Sequence, residues 1–158
     1  MKKGQSAMEY LMTYGWAILI VIIVAAALYA LGIFNPAMYQ GSRVTGFANI
    51  GQPSVGSWKL SSAAAEDQFV LKLKNNLGSR LNFTAATVTV GTTSCTTDFN
   101  DDPYVEVGPG GEFTVEANCG TTFTSGSSYT AKVELTYDNL DTGLTGFKET
   151  GTVTGTVS

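Results

Sequence analysis

The residues whose types and spacing could do chemistry are concentrated at the start of this chain. Lys2 and Lys3 form a basic pair, the small residue Gly4 follows them directly, and a long apolar run begins a few positions later. An ordinary secretory signal has its small-residue cleavage site after the apolar run, so that the run is discarded. Here a peptidase that cut between Gly4 and Gln5 would remove the two charges and leave the apolar segment on the mature chain.

Glu9 is the second position at which chemistry is expected, because it carries the only charge between Gln5 and Gly41. A carboxylate in apolar surroundings is costly unless it is paired. Cleavage after Gly4 would supply a partner, the α-amine of Gln5, which lies about one helical turn away on the same helix face. The alternative is that Glu9 only caps its own helix and favours the positive end of the helix dipole.

Cys95 and Cys119 are the two cysteines of the chain. In an oxidising exterior compartment they can pair, and a closed loop of about 25 residues would stabilise the fold by about 3 kcal/mol on a chain-entropy estimate. The alternative is a pair of small buried thiols, since cysteine packs well in protein cores.

Asn82 begins the only N-x-S/T acceptor of the chain, Asn82-Phe83-Thr84. An exterior location would make N-glycosylation at Asn82 possible. The alternative is an ordinary strand residue, with Leu81 and Phe83 facing inward and Asn82 facing solvent.

The chain contains no histidine, which removes Ser-His-Asp catalysis, Cys-His catalysis and histidine-based metal sites together. Asp98, Asn100, Asp101 and Asp102 supply the ligand types of a calcium loop, but Pro103 takes the position at which an EF-hand needs glycine. We interpret this segment as a solvated acidic loop. The sequence therefore predicts neither an enzyme nor a protein that holds a metal or cofactor.

The apolar run from Tyr10 to Phe34 is long enough to cross a membrane. It holds no charge over about 25 residues, which as a helix would measure about 37 Å. Because Lys2 and Lys3 are the only basic residues near its ends, we expect the start of the chain to be cytoplasmic and the remainder to lie outside. Small residues, including Ala26 and Ala30, would let neighbouring helices approach closely, although plain anchors have such residues too.

The boundaries of this helix follow from local signals. Ser6 and Glu9 have the spacing of a capping box, which predicts a start near Ser6, and Asn35-Pro36 predict the end. No proline interrupts the segment, so we expect one continuous helix with a soft point at Gly15.

After Pro36 the apolar period changes from helical to two. The clearest alternation lies in residues 69–74, 112–117 and 129–137. Further strand candidates are residues 43–50, 57–60, 81–90, 104–107 and 144–157. Seven or eight short antiparallel strands predict a β-sandwich head, immunoglobulin-like or jelly-roll-like, and hence an α+β chain.

Size and charge divide the chain and limit its partners. We expect a leader over residues 1–4, a hydrophobic helix over 5–36 and one head domain over 37–158. Loss of two of the nine basic side chains, against thirteen acidic ones, would change the net charge from −4 to −6. A nucleic-acid partner is not expected at this charge.

The string Lys3-Gly4-Gln5-Ser6-Ala7-Met8-Glu9-Tyr10-Leu11 resembles the class III signal peptide of archaeal type IV pilins. That pattern has a glutamine directly after the cut, here Gln5, and a glutamate one helical turn later, here Glu9. The resemblance covers the leader and the helix, and no family motif follows Pro36. It implies a structural subunit of an archaeal surface filament that polymerises through its N-terminal helix, for adhesion or aggregation, with Glu9 helping to align the incoming subunit.

The resemblance also implies partners. These are a membrane-embedded prepilin peptidase, an assembly ATPase, a membrane platform protein and copies of the chain itself in a helical filament. Before assembly the chain would lie in the cell membrane, and afterwards on the cell surface.

Two other functions would use the same leader. One is a membrane-anchored pseudopilin or minor pilin that acts as an extracellular binding module, which several exposed aromatic side chains around one pocket would favour. The other is an archaellin of the rotating filament. An extracellular enzyme that uses only carboxylates is a remote third, because no pair of carboxylates can be singled out.

Overall fold

A computed structural model of the chain describes residues 3–31, 33–34, 41–52, 54, 56–65 and 67–158, with side chains from residue 7 onward. The chain forms two compact units, Met1–Tyr39 and Gln40–Ser158. A helix occupies the first and β-strands occupy the second. The α+β class predicted from the sequence is therefore confirmed.

The N-terminal unit contains the helix α1, Lys3–Ala30. It continues through Gly15, in agreement with the prediction of an unbroken helix. Its start differs from the prediction, because the helix begins at Lys3 and Ser6 lies inside it instead of at its cap. The residues before Ser6 extend the helix. No proline precedes Ser6, and Gly4 is the only residue before it with a low helix propensity.

The end of α1 also differs from the prediction. The helix stops at Ala30, and Leu31 and Ile33 continue only as hydrogen-bonded turns, with their N–H groups donating to the carbonyls of Ala27 and Leu28. The sequence places a glycine at position 32, and glycine disfavours helical backbone through its conformational entropy. The proposed stop at Asn35-Pro36 lies outside the described residues.

The C-terminal unit is built from strands that pair only in the antiparallel sense. The ten strands among the described residues are β1 Arg43–Thr45, β2 Ile50–Gly51, β3 Trp58–Leu60, β4 Phe69–Asn75, β5 Leu81–Val90, β6 Thr93–Asp98, β7 Val105–Val107, β8 Glu112–Asn118, β9 Ser128–Asn139 and β10 Leu144–Thr156.

The strands form two sheet halves. In the first sheet β1, β10, β9 and β5 follow one another, and both β6 and β7 pair with the far side of β5. In the second sheet β8 pairs with β4, and both β2 and β3 pair with the far side of β4. Strand β6 also pairs with β8, so the ten strands form one continuous sheet folded over as a half-barrel.

The fold turns on β6, which changes sheets along its length. Thr93–Cys95 pair with β5, whereas Thr96, Thr97 and Asp98 pair with β8. Cys95 and Cys119 form a disulfide directly next to the Thr96–Asn118 pair, with their Cα atoms 4.0 Å apart. The covalent bond therefore continues the β6–β8 ladder at the residue where β6 leaves it.

The core lies between the inner faces of the two sheets. Phe83 of the first sheet stacks on Phe113 of the second with ring centroids 4.1 Å apart, and Phe99 packs against both rings. The alternation in β4 leaves Phe69, Leu71 and Leu73 fully buried. The face-to-face packing confirms the predicted sandwich-like β head.

Two strand assignments from the sequence were wrong. The segment 43–50 is two strands, because Gly46 adopts a φ of 98° and turns the chain from the first sheet to the second. Strand β6 was missed, because a strand that changes sheets does not keep one apolar face and its sequence shows no alternation.

We expect the disulfide to stabilise the head because it locks β6 to β8 where the two sheets join. A Cys95→Ala/Cys119→Ala double variant should lose about 3 kcal/mol in free energy of unfolding. Urea denaturation of the full chain in detergent measures this loss. A reductant should lower the urea midpoint of the parent chain to that of the double variant. Equal urea midpoints for oxidised parent and double variant would contradict it.

Tyr129 in β9 is a buried tyrosine of the head. Its ring meets Phe69 edge-on at 6.5 Å, and it lies over Gly155, where a side-chain Cβ would come within 3.0 Å of the hydroxyl. Burial raises the pKa of Tyr129 to about 12. The folded state therefore holds the phenol proton at a pH where the unfolded chain, with a tyrosine pKa of about 10, has released it.

Stability should therefore fall as the pH rises from about 10 to about 12, by about 1.4 kcal/mol per unit, and be unaffected by this group below pH 10. Tyr129→Phe should keep the neutral-pH stability within about 1 kcal/mol and flatten the alkaline decline. Thermal unfolding followed by circular dichroism across pH 8 to 12 measures both chains. An identical alkaline decline in the variant would exclude Tyr129 as its source.

Candidate functional site

The predicted processing bond lies within the helical backbone. Gly4 and Gln5 belong to the first turn of α1, and Glu9 follows Gln5 by one turn on the same helix face. The side chains of residues 3–6 lie outside the described part of the chain. The helix register nevertheless agrees with the spacing that would bring a freed Gln5 α-amine towards Glu9.

Glu9 is exposed on the surface of α1 beside Met8, Met12 and Thr13. The hydroxyl of Thr13 donates to the main-chain carbonyl of Glu9 at 2.9 Å, so this contact leaves the carboxylate unengaged. Among residues with described side chains, no cation lies within ion-pair distance of that carboxylate. Glu9 can therefore accept a positive charge from outside the described helix.

The helix carries its apolar side chains uncovered. Ala7–Ala30 spans 24 residues with a mean hydropathy of 2.4, long and apolar enough to cross a membrane, and none of it is buried within the chain. Trp16 is 70% exposed and Val21 66% exposed. Such a helix fits a membrane span or a secretion signal, and its surface requires lipid or other apolar helices as neighbours.

A shallow depression on α1 marks where another backbone could approach. It lies at Gly15 and is lined by Leu11, Met12, Trp16 and Leu19. A Cβ added at Gly15 would meet no atom within 4 Å. The absence of a side chain there leaves room for a neighbouring helix.

The second group of predicted residues lies in the head. The structure pairs Cys95 with Cys119, as described above, and such a bond is typical of proteins outside the reducing cytosol. Asn82 is the second residue of β5, where it lies between Glu106 of β7 and Asp138 of β9, and its side chain is half-buried. Leu81 and Phe83 face the core as expected. N-glycosylation at Asn82 stays a prediction, and it would require attachment before β5 pairs on both sides.

The acidic segment forms an exposed tight turn. Phe99 and Asp102 exchange main-chain hydrogen bonds of 2.7 and 3.3 Å, and Asn100 and Asp101 have positive φ angles of 56° and 68°. Asn100, Asp101 and Asp102 are solvent-exposed. No group of three potential metal-ligating side chains occurs in the described part of the chain.

The electrostatic influence of that turn extends to Glu116 in β8. Partial burial raises the pKa of Glu116 from its ordinary value, the carboxylates of Asp67, Asp98 and Asp101 raise it further, and the positive charge of Lys59 opposes them. Asp98 stands directly opposite Glu116 in the β6–β8 ladder. The outer face of the second sheet is therefore strongly negative at its β6 side.

Two grooves adjoin the edge strand β3. One, of about 220 Å³, lies near Trp58, Tyr129 and Gly155; the other, of about 360 Å³, lies on the outer face beside Lys59 and Lys72. Trp58 is half-buried with its indole N–H donating to the carbonyl of Thr154, and Tyr129 is buried. These grooves therefore do not present the set of exposed aromatic side chains that would favour a binding module.

Sequence reasoning missed a buried carboxylate that holds the segment between β1 and β2. Glu149 is 7% exposed, and its Oε1 accepts hydrogen bonds from the main-chain N–H groups of Asn49 at 2.6 Å and Ile50 at 3.2 Å. Phe47 packs against Gly151 on the same strand, where any side chain would collide with its ring. We call Glu149, Asn49, Ile50 and the Phe47–Gly151 contact the entry latch.

The alternating burial along β10 could have revealed the entry latch from the sequence. Glu149 shares the inward face of β10 with Gly151, Val153 and Gly155, so its charge had to find a partner inside the head. Burial raises the pKa of the neighbouring Tyr137, the carboxylate of Glu149 raises it further, and a hydrogen bond with the Asn49 side chain opposes both.

Comparison with known proteins adds no assignment: no protein-family model matches the chain, and no curated protein matches its sequence.

We expect Glu149→Ala to destabilise the head by about 2 to 4 kcal/mol, because the buried N–H group of Ile50 and the partly buried N–H group of Asn49 lose a charged acceptor. Glu149→Gln should lose clearly less, since its amide oxygen can accept the same bonds. Urea denaturation and hydrogen exchange at Asn49 and Ile50 measure the two effects. Unchanged exchange in Glu149→Ala would show that the latch does not hold this segment.

Proposed function

We propose that this chain is the structural subunit of an archaeal type IV pilus-like surface filament, for adhesion or cell aggregation. One observation supports the proposal: a sequence that resembles a prepilin processing site lies at the start of a long apolar helix whose side chains are uncovered. An ordinary secretion signal would be removed, whereas cleavage between Gly4 and Gln5 keeps this helix on a folded β head.

Assembly follows from the chemistry of the helix. Before processing, Lys2 and Lys3 hold the start of the chain on the cytoplasmic side and lipid covers α1. Cleavage removes both charges and exposes the Gln5 α-amine, which pairs with Glu9 of the same or a neighbouring copy. Helices of other copies then replace the lipid around α1, and the heads lie on the outside of the filament.

The partners follow from those steps. A membrane-embedded prepilin peptidase cuts the leader, an assembly ATPase supplies the work of extracting the helix from lipid, and a membrane platform protein transmits it. The exterior position of the head accords with its disulfide. Asn82 is then available to exterior glycosylation before the head folds.

The alternatives use the same leader. A membrane-anchored pseudopilin or minor pilin would keep the helix in lipid and use the head as a binding module, and an archaellin would use it in a rotating filament. Neither is favoured by a feature of the described head, in which the aromatic side chains beside the two grooves are half-buried or buried.

Material sheared from cells that express the full chain tests the proposal by electron microscopy and intact-mass measurement. Filaments should contain a subunit that begins at Gln5. Glu9→Ala should reduce filament yield at least about tenfold, because the pairing charge is lost. Lys132→Ala, at an exposed residue of the head, is the control and should assemble normally.

Three outcomes contradict the proposal. The first is a parent chain that stays in the membrane fraction without filaments. The second is a filament subunit that still begins at Met1. The third is normal assembly of Glu9→Ala. This result would exclude Glu9 from the assembly mechanism, and the mass measurement would still decide whether the chain is cut between Gly4 and Gln5.

A further inference from the structure

The outer face of the second sheet is divided by charge. Its lysines lie on the edge side, Lys59 on β3 and Lys72 and Lys74 on β4. Its carboxylates lie on the other side, Glu112 and Glu116 on β8 and Asp98 on β6. For a chain with a net charge of −4, this gathers three basic side chains on one strip.

The basic strip contains the larger of the two grooves described above. Lys59 and Lys72 border it, Val70 and Thr114 line it between them, and Glu116 closes it on the β8 side. Its volume is about 360 Å³. Within the described residues neither Lys59 nor Lys72 forms an ion pair, whereas Arg80 pairs with Asp141 and Lys148 with Glu134. The two lysines of the groove are therefore available to an external carboxylate.

The acidic turn at residues 99–102 has the complementary chemistry. Asn100 and Asp101 are exposed at its tip, one with an amide donor and the other with a carboxylate. Phe99 at its base is 3% exposed and packs against Phe83 and Phe113, so the turn is anchored in the core. A turn held in this way loses little conformational entropy on binding.

The positions of groove and turn determine how two copies could meet. The groove lies at β3 and β4 and the turn follows β6, which is separated from β3 by β4 and β8. At about 4.8 Å per strand this is about 14 Å across one face. The turn and the two lysines are therefore different patches of one head. When the turn of one copy lies against the lysines of a second copy, the second copy still presents its own turn to a third, so the contact is head-to-tail and can continue from copy to copy.

We propose that the acidic turn of one head docks into the Lys59–Lys72 groove of a second copy. Asp101 pairs with Lys59 and Lys72, and the Asn100 amide donates to Glu116. This inference rests on the proposed filament function, since assembly through α1 brings the heads together. It adds a lateral contact between heads to the contact between helices.

Charge exchange in the full chain tests the docking. Lys72→Glu and Asp101→Lys should each reduce filament yield or stability about tenfold, and the Lys72→Glu/Asp101→Lys double variant should recover it. Asp101→Asn, which tolerates the positive φ, should weaken assembly without backbone strain. Lys132→Glu, an exposed charge reversal on the outer face of the first sheet, is the matched control and should assemble normally.

Cysteine cross-linking tests the geometry of the contact. Under oxidation, filaments of Lys72→Cys/Asp101→Cys should give a ladder of multimers on a non-reducing gel, and each single variant should give monomers. Normal assembly of both charge variants, or no ladder from double-variant filaments, would overturn the docking while leaving the filament function intact. Absence of filaments from the parent chain would instead overturn the proposed function.

Discussion

The head depends on one strand pairing with two different sheets. The first three residues of β6 pair with β5 and its last three pair with β8. This change of partner folds the ten described strands into a half-barrel. The same change of partner brings the ring of Phe83 onto that of Phe113 and packs Phe99 against Phe113. It also positions the acidic turn that follows β6. The disulfide lies at the residue where the pairing changes, which is where two separating sheets would begin to part.

The two units of the chain differ in how far they bury their apolar side chains. The head encloses large apolar side chains, with Phe69, Phe83 and Leu135 fully buried, and Glu149 is the one charged side chain that is buried among the described residues. The helix encloses nothing, so its stability in any setting depends on what surrounds it. The proposals for α1 and for the second sheet both follow from surfaces that lack a neighbour within the described chain.

The sequence predicts those parts of the structure in which one local rule acts alone. The α+β class and strands such as β4 and β9 follow from a clean period of two, and the helix follows from an uninterrupted apolar run. Strand β6 has no such pattern because its two halves face different sheets. The break at Gly46 and the early end of α1 both occur near glycines. The apolar pattern around these glycines predicted one strand and a longer helix, so neither break was predicted. Glu149 could have been found from its inward register, whereas its partners Asn49 and Ile50 are a hundred residues away and only folding brings them together.

The entry latch gives the head a defined response to mechanical load. A pull on the N-terminal segment reaches the head through the residues before β1, and β1 has only three paired residues on β10. Behind it, Phe47 against Gly151 and the two hydrogen bonds to Glu149 hold the chain before it crosses to the other sheet. Tension would therefore peel β1 first and stop at the latch, so that the first few residues can lengthen as a short tether while the sandwich core stays folded.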